Sequence, residues 1–158
     1  MKRYEKYIWA ASIIAMCLCI FGLSADTATV SSGKSIQIAA IFERLIHIIT
    51  LGSIEYHRES FMLFSSHVIR KCAHMAEFGI LGALFFLQIR SITAKIQPIY
   101  ALGFTAFYAA TDEIHQAFVP GRGPSLGDVL IDASGAIVGI IAIILIIKNI
   151  SGDEKYEI

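Results

Sequence analysis

The run from Tyr7 to Leu23, YIWAASIIAMCLCIFGL, contains no charged side chain, and it constrains this chain more than any other feature. Three further apolar segments follow it, at 72–89, 98–119 and 129–147. A helix needs about 20 mostly apolar residues to cross a hydrocarbon core of about 30 Å. Composition decides between a large soluble core and membrane spans. Apolar residues make up 56% and charged ones 16% of the 158 residues, against about 45–50% and about 25% in ordinary soluble domains. The mean hydropathy is +0.66. The reading is therefore an all-α integral membrane protein with four transmembrane helices, at 7–23, 72–89, 98–119 and 129–147, in a single domain covering 1–158. Thirteen basic and thirteen acidic residues cancel, so no basic footprint for nucleic acid is present.

Lys2, Arg3 and Lys6 ahead of the first run also suit a signal peptide, with Leu23-Ser24-Ala25 as a cleavage site. The run is longer than a usual signal core and further spans follow, which favours an uncleaved helix. Cys17, Cys19 and Cys72 have neither disulfide-framework nor metal spacing and read as small buried hydrophobes. Lys2, Arg3, Lys6, Arg90, Lys95 and Lys148 fall on one side of a four-span topology, which assigns both termini to the cytoplasm. The long segment from Ser24 to Lys71 is then external. Its Ser/Thr-rich start, 24–35, reads as extended or turn structure. In 36–51, Ile38, Ile41, Phe42, Leu45, Ile48 and Ile49 share one helical face, the pattern of an amphipathic helix lying in the membrane interface. A re-entrant helix is the alternative.

Ionisable residues at membrane depth cost several kcal/mol each and are functional candidates by default. Here they cluster. Arg70, His74 and Glu77 follow i, i+4, i+7 spacing at the start of the second span. Asp112, Glu113, His115 and Gln116 close the third. Asp128, Asp132, Gly135 and Gly139 share a stripe on the fourth. The topology brings all three groups to the same external depth, as an outward-facing polar pocket. The turn Val119-Pro120-Gly121-Arg122-Gly123-Pro124 adds Arg122, a guanidinium suited to bidentate contact with phosphate or carboxylate. The bland alternative is mutual neutralisation, Arg70 with Glu77 and Arg122 with Asp112 or Asp128. The expected ligand-binding set is Arg70, His74, Glu77, Asp112, Glu113, His115, Gln116, Arg122, Asp128 and Asp132. For acid–base catalysis the candidates are Glu77, Asp112, Glu113 and His115. His74 and His115 lack a local zinc motif, so neither a metal nor a cofactor is expected. His47, His57 and His67 read as surface residues.

Three blocks carry a resemblance. R-K-C-A-H-M-A-E-F-G-I-L-G (Arg70 to Gly82), T-D-E-I-H-Q-A-F-V-P-G-R (Thr111 to Arg122) and D-V-L-I-D-A-S-G-A-I-V-G (Asp128 to Gly139) together resemble the VanZ family of bacterial membrane proteins. Phe78 stands where that family commonly has tyrosine. The resemblance implies a place in the cytoplasmic membrane and a link to low-level resistance to teicoplanin and related lipoglycopeptides, or to envelope homeostasis. Two classes of function follow. One is a non-enzymatic protein that binds membrane lipids, a lipid-linked or anionic cell-wall precursor, or the lipoglycopeptide itself. The other is an integral membrane enzyme, a hydrolase or transferase acting on a lipid-linked headgroup. A proton-coupled carrier is a weaker third, and with four spans and no repeat it requires a homo-oligomer.

Overall fold

The computed structural model describes residues 4–50, 57–93 and 98–153, and they form five helices and no strand. These are α1 (Glu5–Ser24), α2 (Ala28–Ile49), α3 (Arg58–Ile92), α4 (Pro98–Gln116) and α5 (Leu126–Asp153). Lys2, Arg3, Lys95 and the end of the expected 36–51 helix, Leu51, lie outside the described residues. Three helices are long and apolar enough to cross a membrane by length and composition: α1, α3, and α5 over Leu126–Ile150. The 98–119 segment is helical only to Gln116, and α4 is not among the three.

The expectation for 24–35 is overturned. Thr27 caps a helix that starts at Ala28, its hydroxyl accepting from the Val30 amide at 3.4 Å. The Ser/Thr run behind it stays helical. Ser35 returns its hydroxyl to the Ser31 carbonyl at 3.1 Å, and Ser35 and Ala39 are the buried residues of α2. Small side chains let α2 lie close on α3, the one helix among the described elements against which it packs. Ile38, Ile41, Phe42, Leu45, Ile48 and Ile49 are exposed on the protein.

The second correction concerns α3, which starts at Arg58 rather than Cys72 and has 35 residues. At 1.5 Å per residue it is about 52 Å long, far beyond a hydrocarbon core of about 30 Å. Its first half runs antiparallel to α2. Arg70 reaches Ser32 at 3.5 Å near one end, and Arg58 Nε donates to Glu43 at 2.7 Å near the other.

The second half of α3 is the centre of the bundle. Phe78 and Leu81 pack with Ile20 of α1 and Ala109 of α4, and Phe86 packs with Ala101 and Ile140. Its seam with α5 is built on glycine. A Cβ at Gly135 would overlap the Met75 carbonyl and one at Gly139 the Gly79 carbonyl, while at Gly79 and Gly82 it would stand 3.1 and 3.0 Å from the backbone of Gly135 and Ala136. Backbone meets backbone because no side chain intervenes. Between α4 and α5, Gly121 adopts φ +78°, and a Cβ there would come within 3.0 Å of Ala28. The Ala28 amide donates to the Pro120 carbonyl at 3.3 Å, so the turn is clasped to the start of α2.

Candidate functional site

Antiparallel packing puts the middle of α3, the C-terminus of α4 and the N-terminus of α5 at one end of the bundle, and their polar residues collect there. The α5 start is set locally, with Ser125 Oγ accepting from the Asp128 amide at 3.3 Å. A cavity of about 200 Å³ opens between these elements. Of the expected ligand-binding residues, Arg70, His74, Glu113, Gln116, Arg122, Asp128 and Asp132 line it. Glu77, Asp112 and His115 do not.

Each of those three has another setting. Asp112 faces α1, where its Oδ2 accepts from the Ser24 hydroxyl and from the Gln116 amide, both at 2.8 Å. Its Oδ1 is buried with no hydrogen-bond partner among the described residues. His115 stacks on Phe21 with ring centroids 4.1 Å apart. Glu77 stands 3.9 Å from His74 Nδ1. As acid–base candidates, Glu77, Asp112 and His115 are therefore off the cavity wall, and Glu113 is on it.

The lining carries charges of both signs, and neither expected neutralising pair forms. Asp128 is taken by Lys71, which reading the sequence left outside the binding set although it lines the cavity. Arg70 contacts Ser32 and the His67 ring, the latter at 3.3 Å. His67, expected as a mere surface residue, is exposed and lines the mouth. The Arg122 side chain has no hydrogen-bond or ion-pair partner among the described residues. Burial, and then the nearby Arg70, pull the Arg122 guanidinium below its usual value. Two arginines thus face one small space, and no carboxylate among the described residues lies within ion-pair distance of either.

Two carboxylates in the same lining are deeply buried: Glu113 is 5% and Asp132 2% exposed. Glu113 Oε2 accepts from the Ser125 amide at 2.7 Å, which ties α4 to the α5 start and fixes the carboxylate in place. Asp132 has no hydrogen-bond or ion-pair partner among the described residues. Among them, too, no group of three or more His, Cys, Asp and Glu is placed to hold a metal ion. Lys71 and Ser125 could have been suspected from the sequence, one beside Arg70 and the other three residues before Asp128 in a capping position. Ser24 and Ala28 could not, because their place depends on where α1 and α2 dock.

A family model described as VanZ/LLP1 matches residues 8–148 of this chain. No curated protein and no solved structure matches it.

Proposed function

The chain belongs to the VanZ/LLP1 family, and from that premise we propose that it is a multi-pass protein of the bacterial cytoplasmic membrane whose pocket binds the phosphate of an envelope lipid. One observation carries the reading: Arg70 and Arg122 line the same cavity and no carboxylate neutralises either. A guanidinium fork matches phosphate oxygens bidentately, and a partly buried, unpaired one is costly until an anion arrives. At about 200 Å³ the cavity is smaller than the roughly 300–1,000 Å³ of drug-sized sites. It suits a lipid headgroup or the phosphate end of a lipid-linked cell-wall precursor. A whole lipoglycopeptide would meet it only from outside, so any effect on teicoplanin susceptibility runs through the lipid.

In this reading α1, α3, α4 and α5 cross the membrane, both termini are cytoplasmic, and the pocket faces outward. The apolar face of α2 then rests in the interface, which its exposed isoleucines and Phe42 support.

The test is lipid retention. Full-length protein purified in mild detergent is given a mixture of phosphatidylglycerol, phosphatidylethanolamine and an uncharged diacylglycerol, and bound lipid is counted by native mass spectrometry. The expected result is retention of both phospholipids over diacylglycerol, reduced at least tenfold by Arg70→Gln or Arg122→Gln. The same change at Arg44, exposed on α2, should alter nothing. Arginine variants that retain phospholipid like the unmodified chain would sink the proposal.

A further inference from the structure

The arginines account for half of the pocket. Its other half is a pair of carboxylates whose partners are missing. Asp132 is 2% exposed, lines the cavity and has no hydrogen-bond or ion-pair partner among the described residues. Glu113, 5% exposed, has its Oε2 on the Ser125 amide, and its Oε1 has no partner among the described residues. An ionised carboxylate only accepts hydrogen bonds, and burying one without a donor is among the costliest arrangements a protein can hold. Two guanidiniums and two carboxylates therefore share a cavity of about 200 Å³ without forming an ion pair, since no guanidinium nitrogen lies within 4 Å of either carboxylate among the described residues. Flexible arginines beside acids ordinarily collapse into ion pairs. Here the frame keeps them apart. Arg122 is held by the Gly121 turn clasped to Ala28, Glu113 by the Ser125 amide, and Asp132 by the glycine seam one turn below it. A pocket with separated, unneutralised charges of both signs is complementary to a zwitterion.

Resting on the phosphate reading above, we propose that the pocket selects a phosphate ester that also bears a primary ammonium, with the phosphate at Arg70 and Arg122 and the ammonium at Glu113 and Asp132. Two features narrow the cation. Among the described residues the lining contains no Phe, Tyr or Trp, whereas quaternary ammonium is recognised by aromatic cages. Carboxylates with vacant lone pairs need N–H donors, and charge-assisted N–H···O⁻ bonds are about twice as strong as neutral ones. Size agrees. A cavity of about 200 Å³ holds several waters and leaves room for a compact headgroup such as phosphoethanolamine. That group reaches the pocket either as the headgroup of a membrane lipid or as a free solute.

The experiment uses the full-length protein in detergent with short-chain phosphatidylethanolamine, its N-methyl and N,N-dimethyl derivatives, phosphatidylcholine and phosphatidylglycerol, with affinity read by titration calorimetry. Affinity should fall at each methylation, with phosphatidylcholine and phosphatidylglycerol at least tenfold below phosphatidylethanolamine. Asp132→Asn and Glu113→Gln should each lower phosphatidylethanolamine to the phosphatidylglycerol level and leave phosphatidylglycerol unchanged. Glu113→Gln retains a side-chain carbonyl that can still accept from the Ser125 amide, so that variant keeps the turn. If either variant loses all binding, the methylation series on the unmodified chain decides. Equal affinity for phosphatidylethanolamine, phosphatidylcholine and phosphatidylglycerol would overturn the ammonium site and leave the phosphate site standing. Absence of binding by every phospholipid would remove both. Competition by millimolar free phosphoethanolamine identifies a soluble ligand, and its failure to compete identifies the lipid.

Discussion

Two seams hold the bundle together by opposite means. Between α3 and α5 there is almost nothing: Gly79, Gly82, Gly135 and Gly139 bring the two backbones into direct contact. Between α1 and α4 the contact is polar and specific. Ser24 and Gln116 converge on Asp112, the Tyr108 hydroxyl donates to the Cys17 carbonyl at 2.6 Å, and Phe21 stacks on His115. Lipid is as apolar as leucine, so helices inside a membrane gain little from hydrophobic burial and must use close packing or hydrogen bonds. This chain uses each where the other would fail. At Gly135 and Gly139 the glycine seam tolerates no added atom. The polar seam tolerates changes of size but not the loss of an acceptor.

The comparison breaks most sharply at Gly139. Its replacement by Ala sets a methyl against the Gly79 carbonyl, which cannot rotate away. The helices must separate, at a cost of about 3 kcal/mol, the upper end for overpacked sites. Unfolding in SDS titrations should report that loss, and an unchanged midpoint would show that the seam is looser than drawn. Next comes Asp112→Ala, which removes the shared acceptor and leaves two buried donors. About 2 kcal/mol should be lost by the same assay, within the usual cost of orphaned polar groups, while Asp112→Asn, which keeps a carbonyl, should lose less. If both changes cost the same, the carboxylate's charge rather than its geometry holds α1. The smallest effect belongs to Tyr108→Phe, which deletes one hydrogen bond to a carbonyl and leaves the ring packed. Interhelical bonds in membranes average about 0.6 kcal/mol, so a loss above about 2 kcal/mol would mean that Tyr108 does more than join two helices.

The two seams were not equally legible in the sequence. The α5 stripe, two acids then two glycines at helical spacing, gives its facing direction. A helix that hides Asp132 must hide Gly135 and Gly139 with it. The clustering of polar residues at one depth was equally readable, because three apolar segments of alternating direction carry them at matching ends in the sequence, although the first of those segments proves to be the second half of a longer helix, α3. The polar seam was not. Asp112 and Glu113 are neighbours on α4 and differ by about 100° around it, and only the docking of α1 decides which of them faces Ser24 and which faces the cavity. The first part of α2, 28–35, failed to show for a different reason. Serine and threonine favour turns when isolated, but packing of Ser35 and Ala39 on α3 overrides that local preference.

The α5 stripe also works as an index mark. A slip of α5 by one turn in one direction would bring Asp132 to the place of Gly135, a carboxylate pressed on the Met75 carbonyl. A slip the other way would put Ile143 where Gly139 lies, a branched side chain against the Gly79 backbone. Both neighbouring registers are closed, one by charge and one by bulk. The helix can therefore settle at only one height, and that height is the one at which Asp128 and Asp132 line the cavity.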